Sequence, residues 1–206
     1  MKLQVAIDRV SLDQAESLIK KLAPYSDILE AGTSLIKDYG VQALAVLKKA
    51  APGTPLLGDM KTIDEGDYEF YRGYQSGADI LTVMGASSVA TIEKCYRVAE
   101  QTGHEMMIDL LECAPETIDR ITDFPNAIYC LHASVDKGAT ADPNGDILAF
   151  KKHFPSIRRI AIAGGINLEG IEKMRESSPE IVIVGSGITK AGDMALAAQN
   201  FRKAMA

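Results

Sequence analysis

An α/β chain closed into a single (β/α)8 TIM barrel over residues 1–206 is the fold this sequence predicts, on three observations. Short apolar runs recur eight times, amphipathic stretches separate them, and no linker or change of composition interrupts the alternation. The runs cover residues 3–7, 27–29, 55–57, 80–84, 106–108, 127–131, 160–163 and 181–184. They are rich in Val, Ile and Leu and barely alternate, which suits parallel strands covered on both faces. Eight strand–helix units in one domain read as a barrel.

Each unit also sets a residue at its strand's C-terminal end, the end that lines the active-site mouth of such barrels. The first strand leads to Asp8. "SLDQAESLIKKL" follows, with a capping box of Ser11 and Gln14 and apolar positions at Leu12, Ala15, Leu18, Ile19 and Leu22. The second strand leads to Glu30, and the helical stretch "GVQALAVLKKAAPG" after it closes on lysines and then Pro52-Gly53, a stop signal. The third runs into "GDMKTIDEGD", which spaces Asp59, Lys61 and Asp64 regularly behind buried apolar residues.

The fourth strand leads to Gly85 and the helix "ASSVATIEKCYRVAEQTGH", the fifth to Asp109 and the sixth to His132. "PNGDILAFKKHFP" precedes the seventh strand, which leads to Gly164-Gly165 and then "NLEGIEKMRE". The eighth leads to Gly185-Ser186-Gly187 and the helix "GDMALAAQNFRKAM". Polarity that merely marked strand ends would use Ser, Asn and Thr as freely. The concentration of Asp, Glu, Lys and His points to a site.

Net charge is −6, with Lys and Arg scattered, so there is no basic face for nucleic acid. An acidic protein can still hold a sugar phosphate through backbone N–H groups and a metal. Cys95, Cys113 and Cys130 are far apart without metal-ligand spacing and read as free thiols in a reducing compartment. The first apolar run is too short for a signal peptide and none is long enough to span a bilayer. A soluble, cytoplasmic protein without a membrane partner is expected.

Asp59 and Lys61 are two apart and would share one side of an extended segment. Asp8, Glu30, Asp59 and Asp109 in one mouth would repel one another without a cation between them. Lys61 supplies one charge; the excess suggests a metal. Hard carboxylate oxygens without Cys or paired His favour Mg²⁺, with Mn²⁺ as the substitute, and Glu30 and Asp59 from adjacent strands are the natural pair. His132, at a strand end facing carboxylates, suits general acid–base work. The glycine loops 163–167 and 185–193 close onto helix N-termini and suit a phosphate cradle.

"MKLQVAID", "DILEAGTSLI", "GDMKTIDEGDYE", "GADILTVMGAS", "MMIDL", "IAIAGGIN" and "IVIVGSGITKAGD" resemble, in that order and over nearly the whole chain, the orotidine 5′-monophosphate decarboxylase suprafamily. The Asp59-x-Lys61-x-x-Asp64 pattern is its mark. "MKLQVAID" with "EAGTSLI" narrows the resemblance to the 3-hexulose-6-phosphate synthase branch and its sister, 3-keto-L-gulonate-6-phosphate decarboxylase. It implies a ribulose-phosphate-binding barrel. It also implies an aldolase that reversibly condenses formaldehyde with D-ribulose 5-phosphate, through a metal-stabilised 1,2-enediolate, to D-arabino-hex-3-ulose 6-phosphate.

The same resemblance implies Mg²⁺ on Glu30 and Asp59, Lys61 stabilising the enediolate, and His132 transferring protons. Asp8 and Asp109 would hold sugar hydroxyls, and Gly165, Gly185, Ser186 and Gly187 the phosphate. Asp64 would reach into the partner's site, making the enzyme a homodimer. A sister-branch decarboxylase would carry arginines where Val135 and Ser186 stand, which favours the aldolase. The chain departs from synthases at Ser34, where Pro is frequent, at Glu65, where a small residue is usual, and at Gly138, where Gln is common. The decarboxylase or a related phosphosugar lyase is the alternative reading. A non-catalytic phosphosugar-binding barrel would not need Glu30, Asp59, Lys61 and His132 together.

Overall fold

The computed structural model describes residues 1–134 and 142–205. The chain starts with β1 (Lys2–Ile7), α1 (Leu12–Leu22), β2 (Ile28–Ala31), α2 (Thr33–Tyr39) and α3 (Gln42–Ala50). It continues through β3 (Leu56–Thr62), α4 (Gly66–Gln75), β4 (Ile80–Met84), α5 (Val89–Thr102), β5 (Glu105–Asp109) and α6 (Pro115–Asp119). It ends with β6 (Ile128–His132), α7 (Pro143–His153), β7 (Ile160–Ala163), α8 (Leu168–Lys173), β8 (Ile181–Val184), α9 (Ser186–Thr189) and α10 (Met194–Met205).

The eight strands form a closed, all-parallel barrel in sequence order, β1 pairing with both β2 and β8. The capping box appears as expected: Ser11 accepts the Gln14 N–H, and Gln14 returns the bond to the Ser11 N–H. No helix among the described residues is long and apolar enough to cross a membrane.

Two apolar layers follow from the period-2 alternation of strands. Outward-facing residues such as Leu3, Val5, Ile7, Leu29 and Leu81 pack under the helices in one continuous core. Inward-facing Ile28, Leu57, Ile80, Met107, Ile128, Ala161 and Ile181, one from each strand except β1, fill the barrel. Two residues further along, on the same inward face, come Glu30, Asp59, Thr82 and Asp109, with His132 four beyond Ile128. An apolar plug therefore supports a polar layer.

Several strands run past their apolar stretches. Glu30, Asp59, Lys61, Asp109 and His132 lie within strands rather than just after them, whereas Asp8 does follow its strand. Asp59, Lys61, Asp109 and His132 satisfy one another at the rim, so their polarity does not end the ladder. The greatest extension is in β3, expected over residues 55–57 and observed to Thr62. Its pairing with β4 steps from Gly58–Leu81 to Thr62–Val83, a bulge, and Lys61 sits at φ +48° within it. Helices α2, α4, α6 and α9 were not singled out by periodicity; they are 7, 10, 5 and 4 residues long.

Candidate active site

Apart from Glu30, the polar layer is one hydrogen-bonded cluster around Lys61. Its Nζ lies 2.6 Å from Asp109 Oδ2 and 3.1 Å from Asp59 Oδ2. The two side chains of β3 meet as expected, but through the bulge rather than through plain extended spacing. A left-handed backbone at a lysine costs on the order of 1–3 kcal/mol and must be held from outside. Thr82 holds it: its hydroxyl accepts the Lys61 N–H at 2.9 Å and donates to Asp59 Oδ1 at 2.8 Å. Thr33 donates to the other Asp59 oxygen at 2.5 Å.

Asp109 is 3% exposed and has little capacity left. Oδ2 takes Lys61 and the His132 Nδ1–H at 2.9 Å, and Oδ1 takes the Leu111 N–H. Burial acts to raise this carboxyl, but the His132 hydrogen bond and the Lys61 charge outweigh it and hold it at about 2. Burial likewise acts against the Lys61 charge, and Asp59 with Asp109 reverses that, raising the ammonium above its ordinary range. Asp109 thus contacts both Lys61 and His132. Donation from Nδ1 leaves the opposite nitrogen of His132 available for a proton.

Glu30 is 7% exposed, and its Oε2 accepts the Gln4 Nε2–H at 2.6 Å. Burial, then the neighbouring Asp59 charge, pushes its acid up to about 8. A carboxylate this poorly solvated beside a second one is a site that a divalent cation would relieve. No three His, Cys, Asp or Glu among the described residues are grouped to hold a metal. Two carboxylates, with other positions left to water and substrate oxygens, is a donor set that suits Mg²⁺. The residues fit the ion.

Asp8 is exposed beyond β1, where its Oδ1 accepts the N–H and hydroxyl of Ser34 at 3.0 and 2.8 Å. Ser34 therefore has a use a proline could not supply. A Cβ on Gly32 would fall 2.0 Å from Asp8 Oδ2, so the carboxylate can cross there only over a glycine. Gly164 and Gly165 adopt φ +101° and +66° after β7, and a Cβ on Gly164 would lie 2.4 Å from the Ala133 carbonyl oxygen. Gly185 caps α9, whose first residues are the exposed Ser186 and Gly187. All-parallel topology puts these loops on the same rim as Lys61.

Asp64 stands apart. It is exposed and makes no hydrogen bond or ion pair among the described residues, between exposed Ile63 (56%) and the αL cap Glu65. Val135 and Gly138 lie outside the described residues. The three cysteines are free: Cys95 and Cys130 buried, Cys113 partly so. Gln4, Thr33 and Thr82 were missed in the sequence, although Gln4 and Thr82 each interrupt an otherwise apolar strand and so carried a signal.

Fold and cluster together define a class: a parallel (β/α)8 barrel with a cluster of ionisable side chains at its C-terminal mouth. The chain belongs to the orotidine 5′-phosphate decarboxylase / HUMPS family, which it matches over residues 1–201. It is similar to the 3-hexulose-6-phosphate synthase of Bacillus subtilis (strain 168), 32% identical over 98% of both chains. It superposes on the crystal structure of 3-hexulose-6-phosphate synthase from Salmonella typhimurium with a TM-score of 0.91, 31% identity, and 100% and 98% of the two chains covered. The 3-keto-L-gulonate-6-phosphate decarboxylase of Vibrio cholerae is similar at a TM-score of 0.87 and 26% identity, with 99% and 96% covered.

Proposed function

We propose that this chain condenses formaldehyde with D-ribulose 5-phosphate, reversibly, to form D-arabino-hex-3-ulose 6-phosphate. The observation that carries the reading is the Asp59–Lys61–Asp109–His132 cluster beside Glu30, in a chain about a third identical to named synthases over its full length. In this reading the second ring nitrogen of His132 takes a proton from C1 of the phosphoketose, while Asp109 stabilises the imidazolium that forms. Negative charge then develops on the adjacent substrate oxygen, which the Lys61 ammonium, already held by Asp59 and Asp109, would stabilise. The resulting 1,2-enediolate attacks the carbon of formaldehyde, whose C=O π bond breaks, and the new alkoxide oxygen takes the proton back from the His132 imidazolium.

Glu30 and Asp59 would hold Mg²⁺, which when bound supplies Lewis-acid polarisation of substrate oxygens. Asp8 would orient a sugar hydroxyl, and the amides of Gly165, Gly185, Ser186 and Gly187 would take the phosphate. Asp64 would complete the site of a second copy in a homodimer. Its exposure, and the exposed Ile63, Tyr68 and Tyr71 around it on α4 and the preceding loop, support that placement. Ser186, where a sister-branch decarboxylase would place arginine, supports condensation over decarboxylation.

The test is to offer the purified protein ribulose 5-phosphate with formaldehyde and, in parallel, 3-keto-L-gulonate 6-phosphate. A kcat/KM higher by at least about tenfold for the first pair is expected; the reverse order would make it the decarboxylase. Exchange of the C1 proton with solvent deuterium, without formaldehyde, would separate either enzyme from a mere phosphosugar binder. Chelation should stop that exchange and Mg²⁺ restore it.

A further inference from the structure

Seven strands each place an apolar side chain in the layer that plugs the barrel, and β1 places Gln4 there. Gln4 is fully buried. It pairs in register with Ile28, and Ala6, two residues on along the same face, pairs with Glu30. The small Ala6 leaves room for the Gln4 amide to rise one layer and donate to Glu30 Oε2 at 2.6 Å. Gln4 Oε1, at the other end of the same amide, is buried without any partner.

A half-satisfied amide in an apolar plug is a poor choice for stability. Its carbonyl oxygen is desolvated for no return, whereas Met or Leu of similar volume would fill the space with no polar atom to satisfy. What the glutamine adds is a fixed donor beneath one carboxylate oxygen. It leaves Glu30 Oε1 without a hydrogen bond among the described residues. We infer that Gln4 is a positioning residue: it clamps Glu30 from below so that the carboxylate meets a divalent cation in a single orientation. Groups that orient a metal's ligands from behind commonly set affinity by about 10- to 100-fold.

This inference rests on the reading of Glu30 as a metal carboxylate given above. It is tested on the full chain with Gln4→Met, and with Gln4→Leu as a second variant of different shape. Mn²⁺ is titrated in and free ion followed by electron paramagnetic resonance, with metal-free thermal midpoints and steady-state constants measured alongside. The expected result is Mn²⁺ affinity weaker by about tenfold or more. The metal-free midpoint should be equal or higher, and kcat should fall while KM for the phosphoketose stays within about twofold.

Unchanged Mn²⁺ affinity in both variants would overturn the inference, as would a wild-type chain that takes up no Mn²⁺. So would a large fall in midpoint in both, since Gln4 would then be a core filler. If the wild type binds Mn²⁺ and the variants weaken it, but no hexulose phosphate forms, the proposed reaction falls and the role of Gln4 stands.

Discussion

Lys61 shows how much can be asked of one residue. It occupies a left-handed backbone position, its amide is tied to Thr82, and its ammonium bridges two carboxylates from different strands. Lys61→Ala should therefore abolish measurable turnover, a loss beyond the roughly 10²–10³-fold seen when one oxyanion donor is removed. Circular dichroism should still report a folded barrel; near-normal activity would remove Lys61 from the mechanism. Asp109 gives a second prediction, since there too the charged partners outweigh burial. Its folded value of about 2 lies below the model-compound value of 3.8, so the unfolded chain binds the proton first. The stabilisation it gives is present above about pH 4 and is lost as pH falls towards 2, about 2 kcal/mol in all. Urea unfolding at pH 3 and pH 6 should show a smaller acid-induced loss in Asp109→Asn than in wild type.

Among the elements, the strands were legible and their ends were not. Eight apolar runs matched eight strands because buried parallel strands need unbroken apolar sequence on both faces. That same logic stops at the first charge, so β3 read as three residues and the site residues appeared to lie beyond their strands. The polar layer is continuous with the ladder because Thr33, Thr82 and Asp109 satisfy Asp59 and Lys61, and partners from other elements cannot be seen locally. The bulge that turns Lys61 was likewise invisible. Glycines were easier to find than to interpret. Gly164→Ala meets a carbonyl oxygen at 2.4 Å as well as a positive φ, whereas Gly40→Ala has φ +65° and nothing within 4 Å. Both should lose on the order of 1–3 kcal/mol of stability by urea titration. Only Gly164→Ala, which must shift the loop at the proposed phosphate cradle, should also raise KM for the phosphoketose. Equal KM values in the two variants would detach that loop from the substrate.

For the molecule as a whole, closure of the barrel is what makes the cluster possible. Glu30, Asp59, Asp109 and His132 come from four strands over about a hundred residues of sequence, and only a closed parallel sheet brings their inward faces to one rim. Asp64 is the member that closure does not bring in: it follows Lys61 by three residues, yet it is exposed and unpartnered among the described residues. If it serves a second copy, sites are shared and inactive chains can complement each other. A Lys61→Ala chain keeps Asp64, and an Asp64→Ala chain keeps Lys61. In their heterodimer, one site then has both residues and the other has neither. Random exchange of equal amounts makes half the dimers mixed, with one of two sites intact, so about a quarter of wild-type activity should return from two nearly dead preparations. Mass spectrometry of differently tagged chains would verify exchange. Exchange without recovery would place Asp64 in its own chain's site or in none, and the exposed Ile63 and Tyr68 would then need another explanation.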